Sequence, residues 1–274
     1  MNIGVFFNYT LNGPGKVVNN LIKGLEKLSI NVNINEDGDS NIILQDCDRL
    51  NNDLSNCIIG PNISVLPIEN KIVMDYKRYG KIIAPSIWVK GLYMQWIPEE
   101  KIIIWPVGID TDFFNDTRKE EKKIDCLIYF KNRDKNDLNF TINILEKLNQ
   151  TYEIINYGTY SEDYFLEIIK KSRYAFIIDN TESQGIAIQE LMSSNLPLIV
   201  WDVTEWDYRG SKYKVPATSV PYWSNICGEI FYTSDKLEET LNVFLNKLDF
   251  YNPRVYILDN LTLEKQSKYV INQF

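Results

Sequence analysis

The chain has 274 residues, 45% hydrophobic and 24% charged, which supplies apolar surface for the cores of two domains of ordinary size. Its formal net charge is -8 with Lys and Arg scattered along the chain, which disfavours a nucleic-acid groove and broad attraction to anionic lipid. Histidine is absent, so Ser-His and Cys-His nucleophile pairs and any histidine general base are excluded.

Met1 leads directly into the strand-like Ile3 to Phe7, with no basic leader before it. No run approaches the ~20 apolar residues that span a bilayer, so a cytoplasmic protein without a transmembrane segment is expected; peripheral contact with a membrane is left open. Val17, Val18, Leu21, Leu25 and Leu28 then recur at helical spacing over Lys16 to Leu28. Between strand and helix lies Asn12-Gly13-Pro14-Gly15-Lys16. It fails as a P-loop, because Thr10 stands where the first glycine is needed, and as Gly-x-Gly-x-x-Gly it fails at Val18.

Further strands are predicted at Val32 to Ile34, Asn41 to Leu44, Cys57 to Ile59, Lys71 to Met74, Lys81 to Ala84 and Lys101 to Trp105, with a helix from Ser86 through Tyr93. The four cysteines, Cys47, Cys57, Cys126 and Cys227, form no Cys-x-x-Cys pair, so neither zinc nor redox spacing is present. Apolar signal stops at Asp112 to Lys123, and the charged run Arg118 to Lys123 reads as a linker.

The second half restarts the alternation. Strands are predicted at Ile124 to Phe130, Tyr152 to Asn156, Tyr174 to Ile178 and Pro197 to Trp201. Helices are predicted at Asp137 to Leu148, Ser161 to Lys171, Gln184 to Ser194 and Ser234 to Lys247, with a C-terminal amphipathic segment from Leu261 to Ile271. Repeated β-then-α order implies a mainly parallel sheet whose ligands bind at the strand C-termini.

The segment Asp179 to Met192 carries the most chemistry. Glu182 falls in the loop after a strand, Gln184-Gly185-Ile186 opens the next helix, and Glu190 follows one and a half turns later. Free amides and the helix dipole there favour a diphosphate, Gly185 permits close approach, and the two carboxylates suit sugar and ribose hydroxyls. Taken alone, two glutamates eight apart more often mark a solvated helix face.

In its setting this segment resembles the Glu-x7-Glu motif of retaining GT-B glycosyltransferases, particularly family four. Ile82 to Lys90, Ile102 to Phe114 and Asn195 to Val200 resemble that family's strands and turns, so the similarity spans nearly the whole chain. The resemblance implies an α/β, GT-B fold: two Rossmann-like domains with mainly parallel sheets facing a central cleft. The first would be an acceptor domain over 1–115, the second a donor domain over 122–255, and 256–274 a helix packing back toward the first.

The implied activity is transfer of a sugar from a nucleoside-diphosphate sugar, such as a UDP-sugar, to a glycan, lipid-linked sugar or protein, with retention and with neither metal nor cofactor. By position Glu182 would contact the donor sugar and Glu190 the ribose, with Gln184, Gly185 and Ile186 meeting sugar and phosphate. Lys131, Arg133 and Lys135 stand where relatives carry cations against the diphosphate, and Gly13, Gly15 and Gly108 line substrate. Asp110-Thr-Asp112 has metal-site spacing but lies in the interdomain turn. Relatives commonly carry a histidine near the reaction centre. The corresponding stretch Lys71 to Lys77 has none, and Asp75 is the nearest substitute. Two other readings stand beside this one: a catalytically silent nucleotide- or glycan-binding protein on the same fold, and a dinucleotide-dependent oxidoreductase using the first glycine stretch with Glu36.

Overall fold

The apolar runs of the first hundred residues are β-branched and short, and they become parallel strands joined by helices. A computed structural model describes residues 1–8 and 13–274; residues 9–12, with Thr10 and Asn12, lie outside the described residues. The chain divides into two units, Met1–Gly108 with Asn260–Phe274, and Ile109–Asp259.

In the first unit the elements run β1 (Asn2–Phe6), α1 (Gly13–Lys27), β2 (Asn31–Ile34), β3 (Ser40–Gln45), β4 (Leu54–Asn62), α2 (Lys71–Met74), β5 (Tyr79–Ala84), α3 (Ile87–Tyr93) and β6 (Ile102–Ile104). The strands form one parallel sheet in the order β2-β1-β3-β4-β5-β6. The helix α1 buries Val17, Val18, Leu21 and Leu25, the spacing read from the sequence. It starts at Gly13, earlier than predicted, because Pro14 is tolerated in a first helical turn. Gly13 and Gly15 are therefore helical residues and not a loop.

The strand predicted over Lys71 to Met74 is one turn of helix. The Asn70 side chain caps it, accepting from the Ile72 amide at 2.9 Å and the Val73 amide at 3.2 Å. Three apolar residues are too few to fix a period, and the local cap decides.

In the second unit the elements are β7 (Ile124–Lys131), α4 (Lys135–Lys147), β8 (Tyr152–Asn156), α5 (Glu162–Lys171), β9 (Ser172–Asp179), α6 (Ile186–Ser193), β10 (Leu198–Trp201), β11 (Trp206–Tyr208), β12 (Ser211–Tyr213), β13 (Gly228–Phe231), α7 (Leu237–Asn246) and α8 (Pro253–Asn260). A parallel sheet of order β13-β10-β9-β7-β8 carries the core. One face packs Cys126, Ile128, Phe176, Ile178, Trp201 and Phe231 against Leu145 of α4 and Leu237, Leu241 and Phe244 of α7. The short hairpin β11–β12 was not predicted; its cross-strand pair Trp206 and Tyr213 packs ring on ring, with Tyr208 stacked at 5.2 Å.

The segment read as a linker is held to the second unit. Thr117 donates from its amide and its hydroxyl to the Ser194 carbonyl, and Arg254 donates to the carbonyls of Phe114 and Thr111 at 3.0 and 3.1 Å. Asp116 accepts from Arg118 at 2.8 Å and from Asn195 at 3.0 Å; burial opposes its charge, but these bonds win and hold its carboxyl down at about 2. Such a carboxyl stabilises the fold above the ordinary carboxylate range, and that contribution is lost as pH falls toward 2.

The last helix, α9 (Leu263–Ile271), belongs to the first unit. It buries Leu263, Ser267 and Val270, and the Gln266 carbonyl accepts the Trp105 indole N–H at 2.9 Å. Gly24 of α1 is where the backbones meet: a Cβ there would stand 2.7 Å from the Leu263 carbonyl oxygen. Gly→Ala inside a helix ordinarily stabilises by about 1 kcal/mol. Here Gly24→Ala is expected to do the opposite, lowering the urea midpoint, whereas Gly91→Ala in α3, with open space around the new methyl, follows the ordinary sign.

Candidate functional site

Three neighbouring strands of the second unit run apolar to their C-terminal ends and then turn polar on one face. The register sets Lys131 of β7 directly beside Asp179 of β9, and one residue beyond the pair Trp201–Ile178 it brings Asp202 alongside. Side chains alternate across a sheet, so these three share the face of Tyr129, Ile177 and Val200, opposite the aromatic core described above.

Lys131 is the centre of this group. Its ammonium pairs closely with the Glu182 carboxylate, lies 4.0 Å from Asp179 Oδ2 and sits 4.3 Å from the centre of the Tyr157 ring. The Lys131 and Glu182 side chains are each 13% exposed and Asp179 is 0% exposed. Burial pushes the Asp179 carboxyl well above the usual carboxylate range, with the Glu182 charge adding to the effect. Burial opposes the Lys131 charge, but the carboxyls around it outweigh that and raise it.

Glu182 is held from behind by a chain of bonds that the sequence did not disclose. Asp202 Oδ1 accepts the Val203 amide at 2.8 Å, the Ser219 amide at 2.7 Å and the Ser219 hydroxyl at 2.9 Å, while Thr218 donates its hydroxyl to both carboxylate oxygens. The Thr218 carbonyl in turn accepts the Glu182 amide at 3.0 Å. Asp202 thus fixes the loop on which Glu182 rests. The signal was present, since the runs ending in Asp179 and Asp202 are apolar strands that each finish on an acid.

Gly185 opens α6 at φ 80°, a left-handed conformation that costs glycine little. Gln184 is buried, and its carbonyl accepts from the Gln189 side chain at 2.8 Å; Ile186 starts the helix proper, later than predicted. Glu190 is 2% exposed, on the buried side of α6. Neither glutamate of the pair lies on a solvated face.

The cations after β7 part ways. Asn132 turns the chain at φ 50°, and Arg133 leaves the Lys131 group. Its guanidinium donates to Asp137 at 2.9 Å, to the Asp179 carbonyl at 3.0 Å and to the Trp201 carbonyl at 3.2 Å, lying over the Trp201 ring. Arg133 therefore stitches the ends of β9 and β10 together. Lys135 is exposed in the first turn of α4, behind the Asp134 cap. A cavity of about 350 Å³ opens beside Arg133, lined also by Asn180, Asp202, Glu205, Lys212 and Tyr232.

The remaining sequence candidates lie in the first unit. Asp75 is an exposed residue ending α2. Gly108 is explained by packing: a Cβ there would stand 2.5 Å from the Thr262 carbonyl oxygen, and its own carbonyl accepts from Asn20 at 2.8 Å. Asp110, just beyond it, spends its side chain in a turn, accepting the Asp112 and Phe113 amides at 3.3 and 3.1 Å. Among the described residues no group of three or more acids and cysteines is placed to hold a metal ion.

Removing the Asp202 anchor separates its role from that of the site itself. Asp202→Ala is expected to lower stability by about 2–3 kcal/mol, the worth of charge-assisted bonds lost from a buried acid, and to speed hydrogen exchange at the Glu182 amide while leaving the α4 amides protected.

The chain matches no protein-family model and no curated protein sequence. Its backbone is similar to several solved glycosyltransferases. AviGT4, a glycosyltransferase involved in avilamycin A biosynthesis, superposes with a TM-score of 0.65 at 11% identity, covering 99% of this chain and 96% of that one. The lipopolysaccharide outer core galactosyltransferase WaaB gives 0.61 at 14% identity, covering 100% and 99%. TarM of S. aureus, solved with fondaparinux, alpha-GlcNAc-glycerol and UDP, gives 0.57 at 14% identity, covering 94% of this chain and 58% of that one. Two α/β units with parallel sheets, aligned over whole chains of this kind, are the GT-B fold, and that is the architecture of this protein.

Proposed function

We propose that the protein is a glycosyltransferase that moves a sugar from a nucleoside-diphosphate donor to a glycan-type acceptor, with retention and without a metal. One observation carries the reading: on a fold shared with glycosyltransferases, a buried acid-ammonium cluster and a second buried glutamate flank the glycine-opened start of α6. In this reading the α6 amides and Lys131 receive the diphosphate, Glu182 leaves Lys131 to hold the donor sugar, and Glu190 holds the ribose.

Charge grows on the leaving diphosphate as the anomeric bond breaks, so a fixed ammonium there lowers the barrier. TarM, on the same fold, was solved with UDP, which supports a uridine nucleotide as the first donor to try. The cavity lined by Glu205, Lys212 and Tyr232 offers mixed donors and acceptors suited to a hydroxylated group. Free, mostly buried thiols fit a cytoplasmic setting. Among the described residues no helix is long and apolar enough to cross a membrane.

A silent binding protein on the same fold is favoured by one observation only, the exposed Asp75 where the family resemblance implies a histidine near the reaction centre. The oxidoreductase reading is weakened because Gly13 and Gly15 lie inside α1.

The test is calorimetry with nucleoside diphosphates, followed by turnover of the matching nucleotide sugar. Glu190→Gln is expected to weaken free nucleotide and intact donor alike by about tenfold or more, whereas Glu182→Gln depresses turnover and spares free nucleotide, which lacks the sugar. Turnover is expected to survive EDTA. Donor binding without turnover selects the silent reading, and loss of activity in EDTA removes the metal-free one.

A further inference from the structure

The Lys131 cluster holds one acid more than it can use. Asp179 faces Lys131 in register and is 0% exposed; its Oδ1 accepts the Asn180 amide at 2.7 Å, while its Oδ2 receives no hydrogen bond from any of the described residues. A buried carboxylate is stable when two or three donors point at it. Asp179 has one donor, and the ammonium at 4.0 Å lies beyond hydrogen-bond distance. Glu182 takes that ammonium instead.

Charge arithmetic then narrows the choice. With Lys131, Glu182 and Asp179 all ionised the cluster carries one net negative charge, almost without water, beside a helix start suited to anions. With Asp179 carrying a proton the cluster is neutral, and the repulsion between the Asp179 and Glu182 charges is removed. When Glu182 departs, one positive charge remains. The other groups facing the cluster bring no further positive charge: Tyr129 of β7, with Tyr160 against it, is pushed far up by burial and stays neutral, the Tyr157 ring presents its face to Lys131, and the Asp202 carboxylate, which adds a negative charge nearby, is satisfied by Thr218 and Ser219.

We propose that Asp179 is a positioning residue that stays protonated beside Lys131, so that the ammonium released by Glu182 is reserved for an anionic diphosphate instead of being neutralised by a second carboxylate. The inference rests on the proposed donor chemistry for its purpose, and on the geometry for the proton. Ionising Asp179 at high pH closes the site to anions; a neutral isostere cannot be closed in this way.

The test compares wild type with Asp179→Asn. Infrared spectra of the unliganded proteins at neutral pH are expected to show a protonated-carboxyl stretch in wild type that is missing from the variant; its absence from wild type overturns the proposal. The variant keeps an acceptor for the Asn180 amide, and its thermal midpoint is expected to rise relative to wild type as pH increases, since a carboxyl raised by burial loses stability with rising pH. Affinity for UDP, GDP and ADP is then followed by calorimetry from neutral to alkaline pH. Wild-type affinity is expected to fall by about tenfold or more relative to the variant, the titration of the ligand being common to both. Parallel pH profiles overturn the role given to the proton. If none of the three nucleotides binds wild type, the donor reading fails by itself, and the infrared result still decides whether Asp179 holds a proton.

Discussion

An ammonium kept from water at the end of a buried strand needs a counter-charge, and the loop after β9 supplies it. Lys131 is tolerable at the C-terminal end of β7 because Glu182 closes over it from that loop, with Asp179 beside it in register. The rest of the second unit's upper edge serves that arrangement. Arg133 caps the carbonyls of β9 and β10, which would otherwise end unsatisfied, and Asp202 draws in the 218–219 loop that receives the Glu182 amide. The site depends on strand ends being held at fixed spacing, more than on any one loop.

Polar residues divide by face as a result. Lys131, Asp179 and Asp202 point to the side of Tyr129 and Val200, whereas Arg133 turns past Asn132 to lie over Trp201 on the other side. Two cations two residues apart therefore have different partners, one paired with the Glu182 carboxylate, the other held by Asp137 and two backbone carbonyls. In the first unit two glycines are explained by close contact between backbones: Gly24 of α1 and Gly108 after β6 both lie against the start of α9.

Much of this architecture is legible in the amino-acid sequence. The alternation of strand and helix from Ile124 onward emerges because each run is long enough to display its period, and Tyr152–Asn156 is bounded correctly. Failures come where local chemistry overrides period: the Asn70 cap makes a helix of Lys71–Met74, and Pro14 lets α1 begin among the glycines. The charged run after Asp112 reads as a linker because composition does not show that Thr117 and Asp116 will find Ser194 and Asn195 across some eighty residues of chain. In the site, Glu182, Gly185 and Glu190 can be named from spacing. Asp179 and Asp202 show in the sequence only as acids that end apolar runs; their importance comes from neighbours on other strands, which pairing register reveals.

The placement of α9 orders events during synthesis. The groove on α1 beside Gly24 is covered by residues made about 240 positions later, so the first unit remains open along that side while the ribosome completes the second. The usual sequence of domain folding is thus inverted: of these two units, the one begun earlier is completed after the other. Until Leu263 and Ser267 arrive, the side of α1 around Gly24 lacks the helix that packs on it.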